Sequence, residues 1–203
     1  MKGRKMVQTG TPLAERIEDE FRFFKTWAQR PLKMGAVSPS SRAFARMMIK
    51  HGRPDPEGWT LELGPGTGVI TEELIRSGIP QERLVCVEFE QHFYELLKKR
   101  FPRVNLIRGD AFDLQNTLGE FADTKFSAVL SGVPVLLIPE EKRRRFIEDC
   151  LSRVRPGGNL TQLSYSFTSP QKSVPGSFTV EKSPWVAFNL PPGRVWIFEK
   201  EAA

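Results

Sequence analysis

The hydrophobic positions of the first 58 residues follow helical spacing. One set of apolar side chains falls within an arc of about 120° when the chain is wound as a helix: Leu13, Ile17, Phe21, Phe24, Trp27 and Ala28. The pattern predicts an amphipathic helix over residues 13–30, which Pro31 ends. A second helix is predicted after Ser38 or Ser40, either of which suits an N-cap, and Gly52 closes it.

From residue 59 onward, short apolar runs alternate with helical patterns. Strands are predicted at 60–63, 84–88, 104–107, 126–131 and 160–165. Helices are predicted between them at 68–76, 91–100 and 140–154, with a less regular connection at 113–122. Alternation of this kind predicts a parallel sheet that is covered by helices on both faces.

The C-terminal part breaks this alternation. Two strand-like runs, 178–190 and 195–200, are joined by the short segment 191–193, which predicts an antiparallel pair. The predicted fold class is therefore α/β, a mostly parallel, Rossmann-like sheet of seven strands with an antiparallel C-terminal hairpin. Two regions are expected, namely a basic N-terminal helical extension at 1–52 and a ligand-binding domain at 53–203.

The charge composition of the chain indicates which charge a binding partner should carry. The chain is 39% hydrophobic and 27% charged, as soluble globular proteins are. Its net charge of +6 is uneven, because residues 1–50 hold eleven Lys or Arg and only four acidic residues. Such a segment suits an anionic partner, either nucleic acid or an acidic membrane surface. No apolar run approaches the roughly 20 residues of a membrane span, so we expect a cytoplasmic protein, attached peripherally to the cytoplasmic face of the membrane.

Residue types that bind metals or form disulfides are sparse. The chain has two cysteines and two histidines. Cys86 and Cys150 lie within apolar patterns and are predicted to be core residues. His51 and His92 are predicted on helices, away from the strand ends. We therefore expect no metal and no disulfide.

A glycine-rich loop at residues 64–68 follows the first predicted strand of the sheet and opens a helix. Glycine lets a backbone approach a ligand without interference from Cβ. Three acidic residues end successive strands nearby, since Glu62 precedes the loop, Glu88 ends the second strand and Asp110 follows the third. Open α/β sheets bind their ligands at the carboxyl ends of the strands, so the sequence predicts a nucleotide-like cofactor there.

The spacing Gly-x-Gly-x-Gly, with an acid two residues ahead, differs from the Gly-x-Gly-x-x-Gly of dinucleotide oxidoreductases and resembles the class I methyltransferases. The resemblance implies S-adenosylmethionine as cofactor, with Glu62 near its methionine part, Glu88 on the ribose hydroxyls and Asp110 on the adenine N6. Residues 155–158 resemble the turn before the fifth strand of these enzymes. Further cofactor contacts are implied at Gly64, Pro65, Gly66, Thr67, Gly68, Phe89, Ala111, Phe112 and Ser131.

The fourth strand end, residues 131–135, discriminates between methyl acceptors. Enzymes that methylate the amine of adenine usually carry Asn or Asp here, followed by proline and an aromatic that stacks on the base. This chain has Ser131 and Val135 at those places. The pattern therefore disfavours RNA, although the domain resembles the ribosomal RNA adenine dimethylases. Ser131 remains a candidate catalytic residue, and its alternative role is to cap the turn.

Two flanking segments carry a more specific resemblance. Residues 23–27 with 31–42, and residues 189–196, resemble the bacterial phospholipid N-methyltransferases over about residues 13–200. The resemblance implies methylation of phosphatidylethanolamine toward phosphatidylcholine, with a phospholipid and an anionic membrane surface as partners. In the helix at 13–30 the candidate membrane contacts are aromatic or basic: Phe23, Phe24, Trp27, Arg22, Lys25 and Arg30. The alternative is that this helix packs on its own domain.

Four residues are candidates for holding the acceptor. Tyr165 ends the fifth predicted strand, and its aromatic face suits a methylated, cationic headgroup. Arg194 suits a lipid phosphate. Ser38 and Ser40 suit the phosphate or the methionine end of the cofactor. Each has a plainer alternative as a cap or a surface residue, and no residue of the chain is identified as a general base.

Three functions are carried forward from the sequence. The first is a phospholipid N-methyltransferase, which the flanking segments and the basic N-terminal segment favour. The second is an RNA adenine N6-methyltransferase, which the domain pattern allows. The third is a membrane-binding or membrane-remodelling module that keeps a cofactor fold without catalysis. Lipid binding and catalysis are compatible in one chain.

Overall fold

A single mixed sheet organises the part of the chain that the computed structural model describes, which is residues 39–164, 166–186 and 193–201. Its strands run in the order β3-β2-β1-β4-β5-β7-β6. Strands β1 to β5 are parallel, and β7 lies antiparallel between β5 and β6. The strands span Trp59–Leu63 (β1), Leu84–Glu88 (β2), Asn105–Arg108 (β3), Phe126–Ser131 (β4), Val154–Ser164 (β5), Phe178–Lys182 (β6) and Arg194–Lys200 (β7).

Helices and short 3-10 turns connect the strands. The helices span Pro39–Gly52 (α1), Val69–Arg76 (α2), Gln91–Arg100 (α3), Leu114–Thr117 (α4) and Glu140–Ser152 (α5). The 3-10 turns span Gln81–Arg83, Gly119–Phe121 and Val135–Leu137. Burial of apolar residues on both faces of the strands stabilises this layered arrangement. The arrangement confirms the predicted α/β sheet.

Two buried clusters fill the space between the sheet and its helices. In the first, Phe146 and Ile147 of α5 pack with strand residues such as Leu61 and Val129. In the second, Met48 of α1 packs with α2 and with strand residues such as Leu130. Helix α1 therefore contacts the same sheet as the rest of the body, although it lies within the segment that the sequence assigned to an N-terminal extension.

Element boundaries agree closely where the apolar runs are uninterrupted. The predicted bounds of β2, β4 and α3 are those observed, and β3 begins one residue later than predicted. The connection at 113–122 holds the four-residue helix α4 and a 3-10 turn. The helix predicted at 13–30 lies outside the described residues.

The start of β5 corrects one prediction. The turn expected at 155–158 lies inside the strand, which begins at Val154. Phe126 of β4 pairs with Val154, whereas Ala128 pairs with Asn159, so residues 155–158 form a bulge. Gly157 has a φ of +78° at this bulge, a backbone conformation that glycine adopts without strain. The expected turn chemistry is present, but it interrupts the strand rather than preceding it.

The strand predicted at 178–190 is also shorter than expected. β6 ends at Lys182. The Ser183 N–H still donates to the Val195 carbonyl at 2.9 Å, and the ladder with β7 is interrupted at Pro184. The Ser183 hydroxyl accepts the Val195 N–H at 3.0 Å in place of a backbone carbonyl, and proline has no N–H to offer. The antiparallel arrangement itself is confirmed, and it continues as one isolated bridge between Val186 and Gly193.

The cysteine prediction is confirmed by burial. Cys86 is 1% exposed and Cys150 is 0% exposed, and both are free thiols. In the described ranges, no three His, Cys, Asp or Glu side chains group so that they could hold a metal ion. The described helices include none that is both long and apolar enough to cross a membrane.

Candidate functional site

A cavity of about 300 Å³ opens where the carboxyl ends of β1, β2, β3 and β4 meet. That volume is at the lower end of the range for sites that hold small ligands. The residues that line it come from the glycine loop, from the ends of β2 and β3, and from the turn after β4: Gly64, Gly66, Val87, Glu88, Phe89, Glu90, Phe93, Gly109, Asp110, Ala111, Phe112, Gly132, Val133 and Pro134. The predicted position of the cofactor site is thus a real concavity.

The three glycines of the loop have separate roles. Gly64 and Gly66 line the cavity, and Gly66 has a φ of +56° with open space where a Cβ would stand. Gly68 faces away, because a Cβ there would lie 2.7 Å from the Phe101 ring and 2.8 Å from Leu97. Gly68 therefore lets α2 approach α3, and Gly66 leaves open space in which a ligand can approach the backbone. A Cβ on Gly64 would lie 3.3 Å from the Val133 side chain, so Gly64 lets the loop pack against the turn after β4.

Pro65 and Thr67 of the same loop support it from outside the cavity. The Pro65 carbonyl accepts the Gly68 N–H at 2.8 Å, which closes the turn. The Thr67 carbonyl accepts the Arg100 Nη1 at 2.8 Å. Neither residue lines the cavity. Of the five loop residues predicted to contact the cofactor, Gly64 and Gly66 are the two that line it.

Glu88 ties the end of β2 to the glycine loop. Its Oε2 accepts the Gly66 N–H and its Oε1 accepts the Glu90 N–H, each at 2.9 Å. Burial raises the pKa of this carboxyl, and the backbone N–H groups of Glu90 and Gly66 partly oppose the shift. Each carboxylate oxygen has two lone pairs, so both can still accept a hydroxyl from the cavity. The arrangement fits a ribose with two neighbouring hydroxyls.

Asp110 and its neighbours form the far wall of the cavity. The Asp110 Oδ1 accepts the Phe112 N–H at 2.8 Å, which leaves Oδ2 for an exocyclic amine. Phe89 is 62% exposed and Phe112 is 43% exposed, which is unusual for phenylalanine. Two accessible rings beside one acceptor fit a flat heteroaromatic base.

Glu62 lies beneath the loop rather than in the cavity wall. It is 0% exposed, and its Oε2 accepts the Thr71 hydroxyl at 2.7 Å and the Cys86 thiol at 3.5 Å. Its Oε1 accepts no hydrogen bond from the described residues. Burial raises the pKa of Glu62 to about 7. The predicted contact with a cationic amine would engage that Oε1 atom.

The turn after β4 is held by its own side chains. Ser131 is 0% exposed, and its hydroxyl accepts the Val133 N–H at 3.3 Å, which is the capping alternative of the sequence analysis. Ser131 does not line the cavity. Gln162 of β5 donates its Nε2 to the Val133 carbonyl at 2.8 Å. Val135 is 2% exposed and packs in the core, so it offers no face to a ligand.

The candidate acceptor residues are described unevenly. Ser38, Tyr165 and the six candidate membrane contacts lie outside the described residues, and of Ser40 only the backbone, in α1, is described. Arg194 is described and is 8% exposed, so the alternative that it is a surface residue is wrong. Its guanidinium carbon lies 4.1 Å from the centroid of the Trp185 ring.

Sequence reasoning missed several residues that the fold brings to this edge of the sheet. Glu90 and Phe93 line the cavity from the start of α3, and their positions just after the second strand end were a usable signal. Gln162, Trp185 and Trp196 surround the β4 turn and Arg194. No local pattern marks these three, because the pairing of β5 with β7 brings Gln162 and Trp196 together, and Trp185 reaches them through its contact with Arg194.

The backbone, the hydrogen-bond acceptors and the aromatic rings of the cavity fit the predicted cofactor. Backbone approach is free at Gly66, acceptors stand at Glu88 and Asp110, and exposed rings flank the base position. The buried Glu62 Oε1 atom is an acceptor without a donor among the described residues. These groups suit an adenosyl moiety attached to a cationic amino acid.

Comparisons with known proteins agree with this geometry. A family model described as a methyltransferase domain matches residues 60–158. An ornithine lipid N-methyltransferase of Singulisphaera acidiphila is 27% identical over 151 residues, which cover 73% of this chain and 79% of that protein. A ribosomal RNA small subunit methyltransferase A of a Synechococcus strain is 37% identical over 89 residues, which cover 42% of this chain and 30% of that protein. The chain therefore matches less than a third of that second relative.

Solved structures share the fold at low sequence identity. TrmN from Thermus thermophilus has a TM-score of 0.63 at 17% identity, covering 79% of this chain and 49% of that chain. Magnesium protoporphyrin IX methyltransferase from Synechocystis PCC 6803, solved with bound S-adenosylmethionine, has a TM-score of 0.58 at 11% identity, covering 98% of this chain and 87% of that chain. These similarities bear on the fold and not on the acceptor.

Proposed function

Residues 60–158 form a class I S-adenosylmethionine-dependent methyltransferase domain, and from this premise we propose that the chain methylates the amine of a membrane lipid headgroup. The proposed acceptor is phosphatidylethanolamine, with its monomethyl and dimethyl derivatives, so that the products lead toward phosphatidylcholine. The proposed place of reaction is the cytoplasmic face of the membrane, to which the protein binds peripherally.

The turn after β4 is the observation that carries the proposal. The hydroxyl of Ser131 is engaged by the Val133 N–H, and Val135 is 2% exposed. A flipped adenine needs a polar acceptor for its amine and an aromatic face for its ring. Neither is supplied at these two positions. A flexible primary amine needs less, since the apolar wall of Val133 and Pro134 can surround it without stacking.

The relatives lend separate support. The similarity to ornithine lipid N-methyltransferase extends over 73% of the chain, whereas that to the ribosomal RNA enzyme extends over 42%. The longer similarity includes sequence outside residues 60–158, so it covers more of the chain than the cofactor domain that all these enzymes share. A lipid with a primary amine is thus the favoured substrate class, and the glycerophospholipid is the finer proposal.

The chemistry requires a neutral amine at the end of the cavity. Bound S-adenosylmethionine supplies an electrophilic methyl group on a sulfonium centre. The acceptor nitrogen would receive that methyl group and lose one proton, and S-adenosylhomocysteine would leave. Val133 and Pro134 present an apolar wall at this end of the cavity, and desolvation there would lower the pKa of the amine toward its neutral, reactive form. Glu88 and Asp110 position the cofactor, which is how this site accelerates an in-line transfer.

The N-terminal segment is the proposed membrane contact. Residues 1–50 hold eleven basic and four acidic residues, and an anionic leaflet attracts each basic residue by about 1 kcal/mol near its surface. The aromatic residues Phe23, Phe24 and Trp27 are proposed to insert at the interface. Flotation with vesicles of graded anionic lipid content tests this, and binding that does not depend on surface charge would contradict it.

One experiment tests the proposed reaction. The purified full chain is incubated with labelled S-adenosylmethionine and vesicles that contain phosphatidylethanolamine, its monomethyl derivative or its dimethyl derivative, and the products are identified by mass spectrometry. We expect methylated lipid from at least the unmethylated headgroup. Parallel vesicles with ornithine lipid separate the two lipid acceptors. No transfer to any amine lipid would overturn the proposal.

A ribosomal RNA adenine is the second candidate acceptor. The observation that favours it is the 37% identity to a ribosomal RNA methyltransferase over 89 residues. In that case label would enter RNA and not lipid in the same assay. Binding of the cofactor and of vesicles without transfer to either would instead favour a non-catalytic membrane module.

A further inference from the structure

Arg194 occupies the same edge of the sheet as the cofactor cavity. It begins β7 and pairs with Ser164, the last residue of β5. Because β5 is parallel to β4 and β1, its last residue lies at the edge where those strands also end. Two residues further along β7, Trp196 pairs with Gln162 of β5. One face of the sheet therefore carries Arg194, Trp196 and Gln162.

The charge of Arg194 is buried without an anionic partner. The residue is 8% exposed, and within the described part of the chain no carboxylate forms an ion pair with it. Its Nε is fully buried and finds no acceptor among the described residues. Within that same part of the chain it contacts two rings, since its guanidinium carbon lies 4.1 Å from the Trp185 centroid and 5.7 Å from the Trp196 centroid. Rings cover the faces of a guanidinium but do not satisfy the donors on its edge.

A second buried arginine of the chain shows the contrast. Arg153 is 5% exposed, and its guanidinium donates to Asp149 at 3.1 Å, to the Ala122 carbonyl at 2.9 Å and to Gln115 at 3.3 Å. The fold therefore supplies acceptors where an arginine is structural. Burial of a charged group without such partners is unfavourable, and Arg194 retains that deficit.

Further polar atoms around Arg194 are also without partners. The Trp196 Nε1 donor and the Gln162 Oε1 acceptor are buried and form no hydrogen bond with the described residues. The same Gln162 donates its Nε2 to the carbonyl of Val133, which lines the cavity. One continuous set of contacts thus leads from the methyl-transfer cavity through Gln162 and Trp196 to Arg194.

We propose that Arg194 and the Trp196 indole N–H bind the anionic group of the methyl acceptor, a phosphate or a carboxylate near the reacting amine. A planar guanidinium pairs with either anion through two parallel hydrogen bonds. Trp185 and Trp196 hold the guanidinium plane in place, so its free edge is oriented before the ligand arrives. The inference rests on the proposed function for the identity of the acceptor, and it assigns to that acceptor a second, anionic point of attachment.

Kinetics on vesicles test the assignment. Arg194→Gln is expected to raise KM for phosphatidylethanolamine by about tenfold or more, because a charge-assisted pair is lost, while affinity for S-adenosylmethionine stays unchanged. Arg194→Lys keeps the charge but not the fork, and an intermediate KM is expected. The matched control is Arg145→Gln, which removes the same charge from a side chain that is 74% exposed. An unchanged KM in Arg194→Gln, or an equal rise in the control, would overturn the inference.

A direct binding measurement keeps the inference testable if no lipid is methylated. Wild-type protein is titrated with glycerophosphoethanolamine, Nα-acetylornithine or inorganic phosphate while tryptophan fluorescence is recorded. We expect a saturable change in fluorescence with the first or the second probe, and which of the two responds separates phosphate from carboxylate. The change should be lost in Arg194→Gln. If only Arg194→Lys folds, its response should be weaker than that of the wild type. A response to inorganic phosphate alone would indicate a free anion rather than a headgroup and would overturn the assignment, as would no response at all. A response to RNA fragments but to neither headgroup probe would do the same.

Discussion

The two halves of the strand-end surface differ in how their polar atoms are satisfied. In the cofactor half, at the ends of β1 to β3, Glu88 and Asp110 already accept backbone N–H groups. In the proposed acceptor half, at the ends of β4 and β5 and the start of β7, buried polar atoms of Gln162, Trp196 and Arg194 have no partners in the described residues. Most of the cofactor half is therefore shaped before its ligand binds, with the buried Glu62 Oε1 as the exception, whereas the proposed acceptor half retains several buried polar groups that a ligand can satisfy.

The largest expected effect is loss of cofactor binding when the best-connected residue of the cofactor half is changed. Glu88→Ala removes two acceptors for the ribose and also the anchor of the Gly66 N–H. Two hydrogen bonds to a charged group are worth about 3 kcal/mol together, which corresponds to about a 100-fold loss of S-adenosylmethionine affinity. Calorimetric titration measures it.

The control for this change is Glu95→Ala, which removes an exposed carboxylate of α3 that is hydrogen-bonded only to Gln91 among the described residues. Its cofactor affinity should equal that of the wild type. If Glu88→Ala bound the cofactor as tightly as the control does, the cofactor half would be placed wrongly.

Glu62 gives a pH-dependent test of the cofactor half, because its buried Oε1 accepts no hydrogen bond from the described residues. Its pKa is raised by burial from 4.5 to about 7 in the folded chain. The stability that it contributes is therefore present below pH 4.5 and is lost as the pH rises through about 7. Glu62→Gln cannot ionise, so its free energy of unfolding relative to wild type should improve by about 3 kcal/mol between pH 4.5 and pH 8.

Urea unfolding of both proteins at several pH values checks this result. Parallel pH profiles for the two proteins would show that Glu62 does not titrate in this window. In the wild type, S-adenosylmethionine affinity should rise as the pH increases through about 7, because the ionised carboxylate attracts the cationic amine. That rise should be absent in Glu62→Gln.

The glycine loop separates packing from ligand approach. Gly68→Ala places a Cβ 2.7 Å from Phe101 at a φ of +80° and should lower the free energy of unfolding by about 2 kcal/mol. Gly66→Ala meets no atom within 4 Å and should cost about 1 kcal/mol from its backbone conformation alone. Cofactor affinity should fall mainly in the Gly66 variant. Denaturant unfolding and cofactor titration of both variants measure these effects, and the opposite assignment would contradict the separate roles.

The smallest expected effect concerns Ser131 of the acceptor half. Ser131→Ala loses one long hydrogen bond to the Val133 N–H and should reduce the rate of methyl transfer by only about threefold. Ser127→Ala is the comparison within the same strand, since Ser127 is a buried serine whose hydroxyl contacts Asp55, Trp59 and Thr60, so it should lower stability more but leave kcat unchanged. A 100-fold loss of kcat in Ser131→Ala alone would restore its candidacy as a catalytic residue.

The position of the cavity could be predicted from the sequence because the residues at the ends of β1 to β3 are local. The glycine loop, Glu88 and Asp110 each follow a strand directly, and parallel strands bring such positions to one edge. The acceptor half depends on long-range pairing. Gln162 and Trp196 are 34 positions apart and meet only because β7 turns back along β5.

Two boundary errors both concern how a strand pairs with its neighbour. Residues 155–158 have turn composition but are accommodated as a bulge, because β4 and β5 resume their pairing at Asn159. The run at 178–190 is apolar enough for one strand, yet Pro184 cannot donate to the ladder with β7. In the first case the pairing partner, which the local sequence does not contain, decided where the strand began, whereas in the second the proline itself marked where the strand ended.

Competition between acceptors within one reaction tests the central claim most directly. Purified protein receives labelled S-adenosylmethionine together with phosphatidylethanolamine vesicles and ribosomal RNA, and the label is counted after extraction into organic solvent. A methyltransferase that acts on lipid amines should place nearly all of the transferred label in the organic phase, as methylated phosphatidylethanolamine. Label that remains with the RNA in the aqueous phase would contradict the account.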